Sequence, residues 1–143
     1  MSKKDNKDYI YLIWKDPKSR RNFIIGELSR NDQYEFKYGF EVEEAIENGF
    51  ELLIPFVDLD KVYKSDTLFS AFSSRLPDRK RRGIENILKK YNMSEFDEYE
   101  LLKKSGARLP IDNLEFIDPL KDDGSSEIER KFHIAGSRYY LNC

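Results

Sequence analysis

The chain has 143 residues and a mass of 17.0 kDa, the size of one domain. The 25 basic and 27 acidic residues give a net charge of −2, which excludes a wholly basic nucleic-acid-binding protein but leaves a local basic face open. No apolar run approaches the ~20 residues of a membrane-spanning helix. One cysteine and one histidine exclude a disulfide framework, multi-cysteine zinc sites and most histidine-based sites. We therefore expect a globular cytoplasmic protein that is not an enzyme and needs no metal or cofactor.

Three strand patterns fill the first forty residues. Residues 9–14 form a short run of apolar, mostly aromatic or β-branched residues, which is typical of a buried strand. Residues 22–28 predict the returning strand, in which Gly26 indicates a bulge or a close backbone approach. Tyr34–Tyr38 alternates aromatic and charged residues, the period of a strand with one wet face. Turn-forming residues separate the three runs, so we predict an antiparallel three-stranded meander.

The next segment predicts shorter elements. Residues 41–48 carry a helical apolar stripe, followed by Gly49 at the position typical of a helix C-terminus. Residues 50–57 are apolar but are interrupted by a proline, which predicts an edge strand or an extended segment. Ser65 or Asp66 is expected to cap a further short helix.

The second half of the chain predicts two longer helices and one strand. Apolar residues at helical spacing between 84 and 91 indicate the clearest helix. Residues 94–97 resemble a capping box that opens another helix, ending near Gly106, and residues 114–117 predict a strand. Together these elements predict an α+β fold, a small antiparallel, barrel-like sheet with helices packed on it, mainly from residues 78–105.

Charge is distributed unevenly along the chain. Residues 41–60 hold seven acids and no base, whereas residues 75–90 hold seven bases and two acids. The four consecutive cations at 79–82 lie at the start of a predicted helix, where they oppose the helix dipole. This local cost favours an acidic partner, which is either the 41–60 segment of this chain or another molecule. A solvated face with internal ion pairs, a protein partner and nucleic acid all stay open.

Single residues with chemical potential are few. Trp14 ends the first strand and is either a core residue or a binding hot spot. His133 has no second histidine to form a metal site, and Cys143 has no neighbouring histidine to activate it. Phosphate-binding loops and kinase catalytic motifs are absent from the sequence, so phosphoryl transfer by this chain has no visible machinery.

Three segments of the chain carry short motifs in a characteristic order. They are residues 21–29 with 34–38, similar to "V-G-x-L" and "F-x-Y"; residues 68–78, similar to "F-x-x-L-L-P-E"; and residues 97–106 with 112–116, similar to "D-x-x-x-L-L-x-x-x-G" and the strand beyond. In order and spacing, these segments resemble the HipA N-terminal domain family. In HipA-type kinases this domain precedes the catalytic part, and in split systems it occurs as a separate HipS-type protein. Arg75 and Asp78 depart from the family pattern by replacing an apolar residue and a glutamate.

The end of the chain carries a second, shorter resemblance. Residues 132–140 resemble the opening strand of a HIRAN domain, a module that binds DNA ends. We therefore expect a disordered tail at 1–8, a HipA N-terminal-like domain at 9–119, a linker or loop at 120–131, and a terminal strand at 132–143.

The resemblance implies a non-catalytic, antitoxin-like or regulatory partner of a HipA-like serine/threonine kinase in a toxin–antitoxin or stress-response system. The alternative is a nucleic-acid-associated module, the N-terminal part of a HIRAN-containing protein. A small enzyme using a carboxylate pair is a third possibility, which no motif supports. We expect a kinase or other protein partner and no membrane. The residues predicted to contact the partner are Trp14, Arg75, Asp78, Arg79 and Arg82.

Overall fold

The computed structural model describes residues 8–109 and 111–119 of the chain. This part is an α+β fold with a five-stranded antiparallel sheet in the order β4-β3-β2-β1-β5. The strands are β1 (Asp8–Lys15), β2 (Asn22–Arg30), β3 (Tyr34–Tyr38), β4 (Tyr63–Ser65) and β5 (Leu114–Ile117), and the helices are α1 (Val42–Glu47), α2 (Ser70–Ser73), α3 (Ile84–Lys90) and α4 (Glu98–Ser105).

The predicted meander is confirmed as β1, β2 and β3. The register between β1 and β2 shifts at Leu12 and Ile13, because Ile25 is an extra residue on β2. Gly26, beside this bulge, pairs with the end of β3. A Cβ atom on Gly26 would stand 2.8 Å from the Phe36 ring and 2.9 Å from a backbone oxygen of β3. Both features expected of this glycine, the bulge and the close approach, are therefore present.

The sheet is open, so the expected barrel-like closure is wrong. Within the described residues, β4 and β5 form the two edges, and they have three and four residues. Closing a barrel requires strands long enough to tilt and stagger around a common axis. Strands this short are poorly suited to closure. Helices and loops cover one face of the sheet instead.

The main core lies on that covered face and is rich in phenylalanine. Phe36 of β3 and Phe116 of β5 contribute from the sheet. The Phe72 ring from α2 lies between them, with centroids 5.2 Å from Phe36 and 5.1 Å from Phe116. Phe56 closes the cluster at 4.7 Å from Phe36. Tilted and edge-on contacts of this kind stabilise cores beyond simple area burial.

Residues 50–57 contain no strand and include a turn at Ile54 and Pro55. The Tyr38 hydroxyl holds this segment over the sheet, since it donates to the Phe56 carbonyl at 2.6 Å and accepts from the Leu53 N–H at 2.9 Å. Burial raises the pKa of Tyr38 to about 12. The expected edge strand is therefore wrong, because a turn interrupts the segment.

Two predicted helix starts are wrong. Ser65 ends β4, and α2 begins only at Ser70, so neither Ser65 nor Asp66 caps that helix. The helix α4 is capped by Asp97 rather than by Ser94. The Asp97 carboxylate accepts the second and third N–H groups of α4 at 3.1 and 3.2 Å. A side chain three residues upstream is out of register with these donors.

The end of α4 and the position of β5 agree with the predictions from the sequence, whereas the start of β1 differs. Gly106 ends α4 in a left-handed conformation at φ 79°, and β5 covers the predicted residues. Asp8, expected in the tail, begins β1 and pairs with Arg30 of β2. The rest of the expected tail, the linker at 120–131 and the terminal strand at 132–143 lie outside the described residues.

Candidate interaction surface

A loop with four consecutive cations, residues 79–82, joins α2 to α3, and all four side chains are exposed. Asp78 shapes the loop, because its carboxylate accepts the Lys80 N–H at 2.9 Å and its carbonyl accepts the Arg81 N–H at 2.9 Å. The helix begins only after Gly83, which is left-handed at φ 84°. The expected helix start at the cations is therefore wrong. The positive end of the helix dipole disfavours four cations in the first turn, and the loop keeps them outside it.

The loop borders a cleft of about 730 Å³. The Arg79 guanidinium lies 5.1 Å from the centre of the Phe96 ring, a cation–π contact that holds Arg79 at the mouth of the cleft. Among the predicted contact residues, Asp78 and Arg79 line this cleft and Arg82 lies in the adjoining loop. The full lining is Arg30, Tyr34, Ser73, Ser74, Leu76, Pro77, Asp78, Arg79, Phe96, Asp97 and Glu98.

One wall of the cleft is a charged network between β2 and α4. Arg30 donates to both Asp97 oxygens at 2.9 and 3.1 Å, and to Glu100 at 3.3 Å. Its guanidinium also lies 4.6 Å from the centre of the Tyr99 ring. Because Asp97 both caps α4 and pairs with Arg30, this wall is tied to the sheet and to the helix at once.

Behind this wall lies a second internal cluster. The buried Tyr99 hydroxyl donates to Asp8 at 3.2 Å, and Lys103 donates to the same carboxylate at 2.8 Å. Burial, together with the charge of Asp8, raises the pKa of Tyr99. Burial alone would lower the pKa of Lys103, but the Asp8 and Glu100 carboxylates outweigh it and raise that pKa. At neutral pH the cluster therefore holds a neutral phenol and a charged ammonium.

Arg75 is bonded within the chain. Its guanidinium donates to both oxygens of Asp112 at 2.7 and 3.1 Å, and to the carbonyls of Ala107 and Leu114 at 2.9 and 3.1 Å. The side chain is only 7% exposed. We call this arrangement the Arg75 latch. It ties the end of α2 to the loop before β5, a structural role that leaves few donors for a partner.

Trp14 lies in the core rather than on the surface. Its ring stacks on Phe23 with centroids 5.9 Å apart and contacts Phe50 at 5.7 Å. This is the first of the two alternatives that the sequence left open, so Trp14 is not part of the surface proposed below. His133 and Cys143 lie outside the described residues.

The loop cations belong to the unpaired basic residues of the described chain. Arg30, Arg75, Lys103 and Arg108 form ion pairs with carboxylates. Within the described ranges, the cations at 79–82 have no carboxylate partner, as is also true of exposed lysines such as Lys18 and Lys89. The loop differs from these single lysines because its four cations are consecutive. No group of acidic, histidine or cysteine side chains suited to a metal ion occurs among the described residues.

Arg30, Phe96 and Asp97 are among the cleft residues that the sequence reasoning missed. Asp97 had a detectable signal, since aspartate directly before a helical apolar stripe is a strong N-cap candidate. Arg30 and Phe96 had no signal in the sequence, because the role of each depends on a partner from another segment. Arg30 meets Asp97 across 67 positions of sequence.

The fold and this surface describe a small α+β domain with a cationic loop beside a polar cleft. Residues 21–110, more than half of the chain, match the family model of the HipA N-terminal domain, and the chain belongs to that family. The sequence resemblance to this family is thereby confirmed. No match supports the HIRAN resemblance, whose residues lie outside the described part. The chain matches none of the curated proteins and none of the solved structures with which it was compared.

The residues that match the family model include only part of the sheet. It contains β2, β3 and β4 but neither β1 nor β5. β1 nevertheless lies between β2 and β5 in the sheet. Across the described ranges, the helices are too short and too polar for any of them to span a membrane.

Proposed function

We propose that this chain is a non-catalytic interaction domain that binds a HipA-like serine/threonine kinase and regulates it in the manner of an antitoxin. Membership of the HipA N-terminal domain family carries this proposal, because the family suggests a role in the HipA toxin–antitoxin system. The run of four exposed cations at 79–82 is the densest positive charge among the described residues and supports a contact with an acidic partner. The cytoplasm is the compartment that this partner implies.

The proposed contact is the loop at 79–82 together with the mouth of the adjoining cleft. Four cations free of carboxylates in the described structure favour an acidic face on the kinase. Complementary charge speeds association and fixes the orientation of the complex. Arg79, held against Phe96, is the cation whose position is most restricted, so it loses the least side-chain freedom on binding.

The test is charge reversal at Arg79 and Arg82. Arg79→Glu/Arg82→Glu should weaken binding to a HipA-like kinase of the same genome by about tenfold or more, as reversal of interfacial charges typically does. Isothermal titration calorimetry at fixed salt measures the affinity. The control is Lys18→Glu/Lys89→Glu, which changes the charge equally at exposed positions away from the cleft. An affinity within about twofold of the wild type for the Arg79/Arg82 variant would exclude this loop as the interface.

Nucleic-acid binding through the same loop is the second candidate, and the four cations favour it as well. If all four neutralised phosphates, the affinity for duplex DNA would fall about 150-fold between 50 and 200 mM salt. A fluorescence-anisotropy titration with a labelled duplex measures this slope. A steep slope that Arg79→Glu/Arg82→Glu abolishes supports the DNA candidate, and no binding at 50 mM salt rejects it.

A further inference from the structure

An apolar groove of about 280 Å³ lies on the other side of α2 from the cationic cleft. Ser74 at the end of α2 lines both, so the helix end is the wall between them. Core residues form the floor of the groove, and the segment 50–57 and the loop before β5 form its sides. The lining consists of Leu12, Leu53, Ile54, Ala71, Phe72, Ser74, Arg75, Leu109, Asp112 and Leu114.

One bulky apolar side chain of the groove lining is highly exposed. Ile54 is 85% exposed. Scattered exposed apolar residues are normal on protein surfaces. Ile54 instead borders a concave apolar surface, which is the usual arrangement at a protein-binding site.

The charged residues in the groove wall neutralise each other. Arg75 and Asp112 are joined in the Arg75 latch, so the wall presents a satisfied ion pair. The volume is slightly below the ~300 Å³ at which pockets for whole small molecules begin. It suits one bulky apolar side chain of a protein partner, the kind of anchor that dominates interface energies.

The chain on both sides of the groove residues Leu53 and Ile54 is acidic. Glu51 and Asp58 bracket the segment that carries Leu53 and Ile54, and both acids are exposed. They belong to the stretch 41–60, which contains seven acids and no base. In the described part of the chain, neither Glu51 nor Asp58 forms an ion pair. Charge complementarity therefore selects a partner with cations beside its apolar anchor.

We propose that this groove binds a bulky apolar side chain of a protein partner, flanked there by lysine or arginine. This surface is separate from the cationic loop, and the two have opposite charge preferences. The inference stands whether or not the partner is a HipA-like kinase, because it rests on the groove and its acidic border alone.

The test is a titration of the full ¹⁵N-labelled chain with acetyl-Lys-Leu-Leu-Lys-amide, followed by amide chemical shifts. The amides of Leu53, Ile54, Leu109 and Leu114 should shift and saturate below about 10 mM peptide. Acetyl-Lys-Ser-Ser-Lys-amide lacks the anchor, and acetyl-Glu-Leu-Leu-Glu-amide reverses the charge. Each should bind about fivefold more weakly or worse, which separates the apolar from the electrostatic contribution.

Matched variants locate the site. Ile54→Ser/Leu109→Ser removes apolar surface from the groove and should weaken the leucine peptide about fivefold or more. Val57→Ser/Val62→Ser removes similar exposed surface outside the lining and should leave binding unchanged. Equal effects of the two double variants, equal affinities for the three peptides, or saturation of shifts elsewhere in the chain would each overturn the proposal.

Discussion

Removing the Arg75 guanidinium should destabilise the domain more than removing any exposed cation. Arg75→Ala removes the guanidinium donors from the Asp112 carboxylate and from the carbonyls of Ala107 and Leu114, so that Asp112 keeps only the Leu114 N–H. Breaking a buried charge pair costs about 3–5 kcal/mol. The Asp112 side chain is 33% exposed and can be hydrated in the variant, so we expect a loss at the lower end of this range, about 3 kcal/mol. For a domain of this size, that corresponds to a fall in Tm of about 12 °C.

Trp14 provides the assay, since it is the single tryptophan and it is buried. Urea unfolding followed by its fluorescence gives the free energy of unfolding, and thermal unfolding gives the Tm. Arg108→Ala is the control, because Arg108 is 71% exposed and pairs with Glu115 at 3.4 Å. Removing an exposed pair of this kind should cost less than about 0.5 kcal/mol. If Arg75→Ala lies within about 1 kcal/mol of the wild type, the latch does not hold the fold and Arg75 becomes available as a partner contact.

The Arg75 latch also predicts that the stability of the domain depends on pH. Burial alone would raise the pKa of Asp112, but the hydrogen bonds and charge of Arg75 and the backbone N–H of Leu114 outweigh it and lower that pKa. The carboxylate therefore contributes stability above its unfolded pKa of about 3.9, and this contribution disappears as the pH falls through the folded value. The stability gap between the wild type and Asp112→Asn should be constant between about pH 7 and 5 and should shrink below about pH 4. A gap that widens on acidification would contradict the assignment.

Three further substitutions test the fold. Gly26→Ala should lower the free energy of unfolding by about 2 kcal/mol, because the new methyl group meets a ring and a backbone oxygen within 3 Å. Gly39→Ala is the control and should cost little, since nothing lies within 4 Å of its new methyl group. Equal costs in urea unfolding would refute the close approach at Gly26. Tyr38→Phe should cost about 1–3 kcal/mol. Since the folded pKa of Tyr38 is raised to about 12, the variant should also lose less stability than the wild type as the pH rises from about 10 to 12, with the remaining fall due in part to Tyr99. Equal alkaline losses in the variant and the wild type would contradict this. Asp97→Asn keeps a helix cap but loses the charge pair with Arg30, whereas Asp97→Ala loses both. Urea unfolding should therefore show the alanine variant to be about 1 kcal/mol less stable than the asparagine variant. The reverse order would contradict the assignment of Asp97 as both helix cap and partner of Arg30.

Local patterns in the sequence predicted the elements whose causes are local. The alternation in residues 34–38 and the glycine at 106 act through neighbouring residues, and the structure confirms both. The strand Tyr63–Ser65 was missed because three residues with one aromatic carry no periodic signal. The apolar stripe of α3 was recognised correctly as a helix, yet none of its residues is buried. Periodicity reveals a helical face but not what covers that face.

The candidate site shows the same division between local and distant causes. The run of cations at 79–82 is plain in the sequence. The conformation of this run cannot be seen in the sequence, because the left-handed Gly83 places the run outside the helix. The sequence predicts Arg75 as a partner contact because it belongs to the basic stretch at 75–90. Its acceptors lie 32 to 39 positions further along the chain, a distance over which composition and spacing carry no information.

The Arg75 latch bears on how this domain avoids joining its sheet to another. An edge strand offers unpaired backbone groups that template the addition of a further strand. On β5 three of these groups are already engaged: the Leu114 N–H donates to Asp112, the Leu114 carbonyl accepts from Arg75, and the Phe116 N–H donates to Gly106. At the other described edge, β4 offers only three residues, with a lysine at their centre. Both described edges therefore disfavour the addition of a further strand, and loss of the latch would free the Leu114 carbonyl for such pairing.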